Sequence, residues 1–152
     1  APNLDFHLGD AENLPFADAS FDAVVNVESS HCYGRVDRFF REVARVLRPG
    51  GRFLYTDFRE ADEIPNWEAQ LASVESLEQI ESEDISAEVL AAMTADDERK
   101  RALIEVIVPE KMRPMFEEFA GLSGAQVFEA FKARMMICKR FALRRTGRPD
   151  GS

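Results

Sequence analysis

Gly9-Asp10-Ala11-Glu12-Asn13-Leu14-Pro15-Phe16-Ala17-Asp18-Ala19-Ser20-Phe21-Asp22 is the stretch whose reading decides the fold. An apolar run at Leu4, Phe6 and Leu8 precedes it, and a second run, Ala23-Val24-Val25-Asn26-Val27, follows. Those patterns predict a short strand, a polar loop broken at Pro15, and a second, buried strand. Gly9 and Asp10 then stand where a parallel strand ends, the edge at which open α/β sheets bind ligands. An Asp there can accept a hydrogen bond from an exocyclic amine while the next backbone N–H donates to a ring nitrogen. That pair of groups suits an adenine edge. The plain alternative is an Asx turn closing a strand.

Around this stretch the bulk numbers describe a globular chain. It has 152 residues, 45% hydrophobic and 31% charged, enough to bury about 70% of its unfolded surface as one domain. No apolar run approaches the roughly 20 residues of a bilayer-crossing helix. The polar opening Ala1-Pro2-Asn3-Leu4-Asp5 reads as lacking a secretory signal. Cys32 and Cys138 are too few to staple a fold and show no metal-ligand spacing, so the expectation is a cytoplasmic protein with no metal. The net charge of −9 is unevenly spread: residues 60–98 hold 13 acids and no Lys or Arg, whereas residues 132–148 hold seven bases. Such asymmetry can mark a nucleic-acid surface. Without a base-reading motif it reads instead as solvated acidic helices and a basic strand end, with no nucleic-acid partner.

Three blocks, GDAENLPF, FDAVVNVESSH and EVARVLRPGGRFLYTDF, together resemble the central motifs of class I S-adenosylmethionine-dependent methyltransferases over about the first 60 residues. Within that family, NVESSHCY and NWEAQL are most similar to the mycobacterial phthiotriolone and phenolphthiotriolone dimycocerosate methyltransferases. The resemblance implies an α/β, Rossmann-like class I methyltransferase fold in which Leu4–Leu8 is the third strand. The glycine-rich loop and the acidic end of the second strand would lie before it. The expectation is therefore the C-terminal part of such a domain, residues 1–145, with a helical cover over about 60–121 and a disordered tail, 146–152. It further implies S-adenosylmethionine as cofactor and S-adenosylhomocysteine as product. Asp10 and Ala11 would meet adenine, with Glu12 beside them, and Asn26, Val27 and Glu28 would wall the cofactor.

Downstream the residues carry the reading themselves. Val36, Phe39, Phe40, Val43, Val46 and Leu47 recur at helical spacing within 35–48 and predict one apolar stripe, with Arg38, Arg41, Arg45 and Arg48 on a solvated face. Pro49-Gly50-Gly51 ends that helix and turns the chain into a strand over 52–58. Phe16 and Phe21 bracket the loop and predict ring packing against the sheet.

His31, just past the strand end, lies in the loop where the resemblance places an approaching acceptor. Its imidazole suits removal of a hydroxyl proton, and the alternative is a histidine that merely hydrogen-bonds a loop or packs on Tyr33. His7 reads as structural. Asp57 either assists the acceptor site, by orienting the acceptor or holding His31 in one tautomer, or caps the next helix. Between residues 60 and 121 the chain reads as amphipathic helices around Trp67, Leu71, Leu77, Ile80, Val89 and Met93. They are suited to covering a lipid, polyketide or glycolipid acceptor or to forming a homodimer. Residues 123–133 read as a last helix and 135–145 as a final strand. Two functions follow: methyl transfer to a hydroxyl oxygen of such an acceptor, or a non-catalytic remnant serving as an interaction module.

Overall fold

The computed structural model describes residues 3–147. The expected disordered tail therefore lies, beyond Gly147, outside the described residues. Elements follow in the order β1 (Phe21–Val27), a 3-10 turn (Ser30–Cys32), α1 (Val36–Val46), β2 (Leu47–Glu60) and α2 (Ile64–Ala72). After them come β3 (Leu77–Asp84), α3 (Ser86–Ile107), α4 (Arg113–Phe119), α5 (Gln126–Lys132) and β4 (Met136–Arg145). The strands form one sheet in the order β1-β2-β4-β3. The chain divides into two compact units, one of residues up to 57, 65–83 and 140 onward, the other of residues 58–64 and 84–139.

In the first unit α1 supplies the packing face. Phe40, Val43 and Ala44 are fully buried, and the rings of Phe39 and Phe40 meet Phe53 and Tyr55 of β2 at centroid distances of 5.5–6.5 Å. The helix stops at Val46 because Leu47 is already extended, φ −74° and ψ 137°, and the residue before Pro49 is biased out of the helical region. Gly50 then takes φ +85°, which an L side chain rarely adopts. A Cβ on Gly51 would lie 2.9 Å from the Arg48 carbonyl oxygen and 3.1 Å from that of Asp22, so this position admits little but glycine. The strand that follows pairs in parallel with β1, Val25 opposite Leu54, Asn26 opposite Tyr55 and Val27 opposite Thr56.

Two expectations are corrected. Residues 4–9 form no strand; Leu4, Phe6 and Leu8 are 58%, 90% and 102% exposed. A strand needs a neighbour to satisfy its backbone, and no strand of the sheet pairs with this segment. The acidic stretch from Leu77, read as helical, is instead the strand β3. Its charges explain the choice: Glu81 and Glu83 pair with Arg140 and Glu78 with Arg144, at 2.5–2.9 Å. The acidic and basic runs of the sequence thus meet on neighbouring strands.

In the second unit, α3 is one continuous helix, and Ile104, Val108 and Leu122 form a small buried cluster. Among the described residues no helix is long and apolar enough to cross a membrane, and no group of three or more His, Cys, Asp or Glu is placed to hold a metal ion.

Candidate functional site

Parallel pairing brings the C-terminal ends of β1 and β2 to one edge. Glu28 N–H donates to the Thr56 carbonyl at 2.9 Å, and the chain leaves β1 through Glu28 at φ 46°. A left-handed conformation outside glycine marks a position held by its surroundings. It turns the backbone directly into the Ser30–Cys32 turn, which sets His31 beside Asp57.

There the geometry is dense. His31 Nδ1 lies 2.8 Å from Asp57 Oδ1, and the His31 backbone N–H donates to Asp57 Oδ2 at 3.1 Å. Ser30 Oγ donates to the same oxygen at 2.6 Å. Asp57 is fully buried, while the His31 side chain keeps 30% of its surface exposed. A buried carboxylate is tolerated when donors surround it, and three are placed here. An ionised carboxylate accepts only, so beside one this contact requires the proton on Nδ1 and, in the neutral ring, leaves the lone pair on Nε2. Of the roles considered for Asp57, contact with His31 is what the structure contains; the next helix begins at Ile64.

The first loop is held by different means. Asp10 Oδ1 accepts the Glu12 N–H at 2.9 Å, an Asx turn. Glu12 Oε1 accepts the Arg35 N–H at 2.7 Å and so anchors the start of α1. Arg45 reaches back from α1 to the carbonyls of Leu14 and Phe16 and to Asp18, while Glu42 accepts both an Arg45 N–H and the Leu14 N–H. The paired guanidinium holds the Glu42 carboxyl below its ordinary range. Arg45, read as part of a solvated face, is thus the clamp of this loop; its i,i+3 spacing to Glu42 was the available signal. Phe16 packs edge-on against Phe21 at 4.9 Å and against His7 at 5.3 Å.

Two clefts flank β1. One, about 340 Å³, is lined by Ala11, Phe16, Val25, Asn26, Tyr33 and neighbours. The other, about 310 Å³, takes in Val25, Asn26, Val27, Leu54 and Arg140. The structure therefore joins Ala11 and Asn26 at one cleft and Asn26 and Val27 at the other, with Asp10 and Glu12 spending hydrogen-bonding capacity on the local loop. The Asn26 amide donates to Ser29 Oγ at 2.8 Å and Tyr33 Oη at 3.1 Å, whereas its buried Oδ1 has no partner among the described residues. Asn26 lines both clefts, and an orphan acceptor on it fits a ligand bearing hydroxyl or ammonium donors.

Comparison with known proteins agrees with this architecture. Residues 1–55 match the family model described as "Methyltransferase domain". The chain is 49% identical over 126 residues to the phthiotriol/phenolphthiotriol dimycocerosates methyltransferase of Mycobacterium tuberculosis, covering 83% of this chain and 46% of that protein. It is 45% identical over 116 residues to a fatty-acid O-methyltransferase of Mycolicibacterium smegmatis, 76% of this chain and 42% of that one. The chain thus spans about half the length of the curated relatives it matches. Among solved structures, the [4+2]-cyclase SpnF superposes with TM-score 0.68 at 26% identity, over 93% of this chain and 56% of its own. A phosphoethanolamine N-methyltransferase of Haemonchus contortus, solved with phosphomonomethylethanolamine and S-adenosylhomocysteine, gives TM-score 0.70 at 18% identity, over 90% and 36%.

Proposed function

We propose that this chain, which belongs to the methyltransferase domain family, contributes the acceptor-activating half of a site that methylates a hydroxyl oxygen of a lipid, polyketide or glycolipid. The observation that carries the reading is the buried Asp57 carboxylate on His31 Nδ1, at the edge where parallel strands end. Bound S-adenosylmethionine would supply a methyl carbon on a sulfonium sulfur and depart as S-adenosylhomocysteine. Asn26, with its unpartnered Oδ1, Val27, Glu28 and Ala11 are the residues proposed to hold it, with Asp10 and Glu12 shaping the loop beside it. His31 Nε2 takes the proton of the acceptor hydroxyl as that oxygen forms its bond to carbon. Asp57 keeps the imidazole in the tautomer that can do so and stabilises the imidazolium that results. A base of this kind contributes about 10²- to 10⁴-fold, and alignment of the two reactants supplies the larger part.

The type of acceptor follows from the chemistry of the base. A carboxylic acid is ionised near neutral pH and has no proton to give up, whereas an alcohol needs one removed. A His–Asp pair therefore favours a hydroxyl acceptor, and the similarity to lipid-modifying relatives favours one on a long-chain molecule. The test combines calorimetric titration of S-adenosylhomocysteine with turnover on matched alcohol and carboxylic-acid acceptors. His31→Ala is expected to cut turnover on the alcohol by about 10²- to 10⁴-fold with cofactor affinity unchanged; unchanged turnover rejects the base.

A second reading, a non-catalytic interaction module, draws support from the 64% and 60% exposure of Val25 and Val27 on the edge strand β1. A folded chain that takes up no S-adenosylhomocysteine would favour it.

A further inference from the structure

Behind Asp57 lies a run of buried polar groups that proton removal by His31 does not itself use. Ser30, Tyr55 and Trp67 are 1%, 2% and 2% exposed. Trp67 Nε1–H donates to Tyr55 Oη at 3.0 Å, Tyr55 Oη contacts Ser30 Oγ, and Ser30 Oγ donates to Asp57 Oδ2 at 2.6 Å. Proton counting fixes the direction. Indole only donates, an ionised carboxylate only accepts, and each hydroxyl has one proton. Ser30 gives its proton to Asp57, so the Ser30–Tyr55 bond must be donated by Tyr55, whose oxygen accepts from Trp67. Every link then points the same way, from the indole of α2 to the carboxylate, and each hydroxyl polarises the next.

We propose that Ser30, Tyr55 and Trp67 are positioning residues that lock Asp57 and thereby hold His31 as the Nδ1–H tautomer, with Nε2 presented as the proton acceptor. The proposal rests on the reading of His31 as base. Its physical basis is that a buried carboxylate with one oxygen tied to a fixed donor cannot rotate, so its other oxygen stays aimed at Nδ1. Ring packing fixes the donors in turn: Tyr55 stacks on Phe141 at 5.7 Å, and Trp67 meets both Tyr55 and Phe141 edge-on.

The test is nitrogen-15 NMR of the imidazole rings in the full chain, with His7, the other of its two histidines, as internal control. The parent is expected to show His31 protonated at Nδ1. Ser30→Ala and Tyr55→Phe should lower the ratio of the Nδ1–H to the Nε2–H tautomer by about three- to tenfold, while Ser30→Thr, which keeps the hydroxyl, should restore the parent spectrum. If Ser30→Ala does not fold, Tyr55→Phe, which removes one oxygen, and Trp67→Phe, which removes the first donor, decide the matter. A parent carrying the proton on Nε2 overturns the proposal. So does a parent-like tautomer ratio in the folded variants, even at reduced melting temperature. Turnover separates this from the base assignment: an unresponsive tautomer with an inactive His31→Ala rejects the relay alone, and an active His31→Ala rejects the base alone.

Discussion

Asp57 commits both carboxylate oxygens inside the protein, Oδ1 to the His31 ring and Oδ2 to Ser30 and the His31 backbone. An asparagine cannot repeat this, since one of its two terminal atoms donates. In Asp57→Asn either the Ser30 proton loses its acceptor or the imidazole must accept at Nδ1 and carry its proton on Nε2. Turnover on a hydroxyl acceptor is expected to fall by about 10²-fold or more with S-adenosylhomocysteine affinity retained; loss of affinity in calorimetry would instead place Asp57 at the cofactor. The sequence allowed this pair without establishing it. His31 and Asp57 are 26 positions apart, and their meeting depends on the register of two parallel strands and the left-handed turn at Glu28. Neither is written in any local pattern. The residue types at the two strand ends were legible, while the choice between cap and histidine partner for Asp57 was not.

At the level of elements, the stripe of α1 and a break at Pro49-Gly50-Gly51 could be read directly, because periodicity and backbone constraint are local properties; the structure carries that break not as a turn before the strand but as an irregularity inside β2, between Leu47 and Arg52. β3 could not. Leu77 is its one buried residue, so no alternation announces it, and its partner strand lies 59 positions away at the Glu81–Arg140 contact. Charged side chains on such a strand also discourage edge-to-edge association. Where β3 ends, Asp84 accepts from the Ser86 N–H at 3.0 Å and from its hydroxyl, and pairs with Arg134 at 2.6 Å. The Arg134 guanidinium, helped by Ser86, lowers the Asp84 carboxyl to about 2. A carboxyl depressed on folding stabilises the native state above its unfolded value near 4 and loses that contribution as pH falls toward 2. Asp84→Asn is therefore expected to flatten the decline of melting temperature between pH 5 and pH 2 while leaving the Tyr55 and Trp67 environment unchanged. An equally steep decline would assign the acid sensitivity to other carboxyls.

Across the whole molecule, the net charge of −9 hides a local balance, since Arg140 and Arg144 find their counter-charges on β3. Exposed pairs of this kind contribute only about 0.2–1 kcal/mol each and weaken with salt, so they help set strand register more than stability. Apolar surface has the larger consequence. Val25, Val27 and Leu54 present a valine- and leucine-bearing patch at 64%, 60% and 47% exposure, and an uncovered patch of this type drives association. Sedimentation of the chain is expected to show a mass that rises with concentration, and Val25→Thr with Val27→Thr, which keep β-branching, should suppress the rise. A monomeric parent at every concentration would show that the patch is not adhesive.

Trp67 is the single tryptophan of the chain, and its indole N–H stands at the far end of the hydrogen-bonded run that begins at His31. Indole emission responds to the charge and hydrogen bonding around its own ring, so Trp67 is placed to report on the His31–Asp57 contact. Excitation at the red edge of the indole band selects this one chromophore over the two tyrosines. A change at the His31–Asp57 contact is then expected to shift this emission, readable in real time without a dye, a label or turnover.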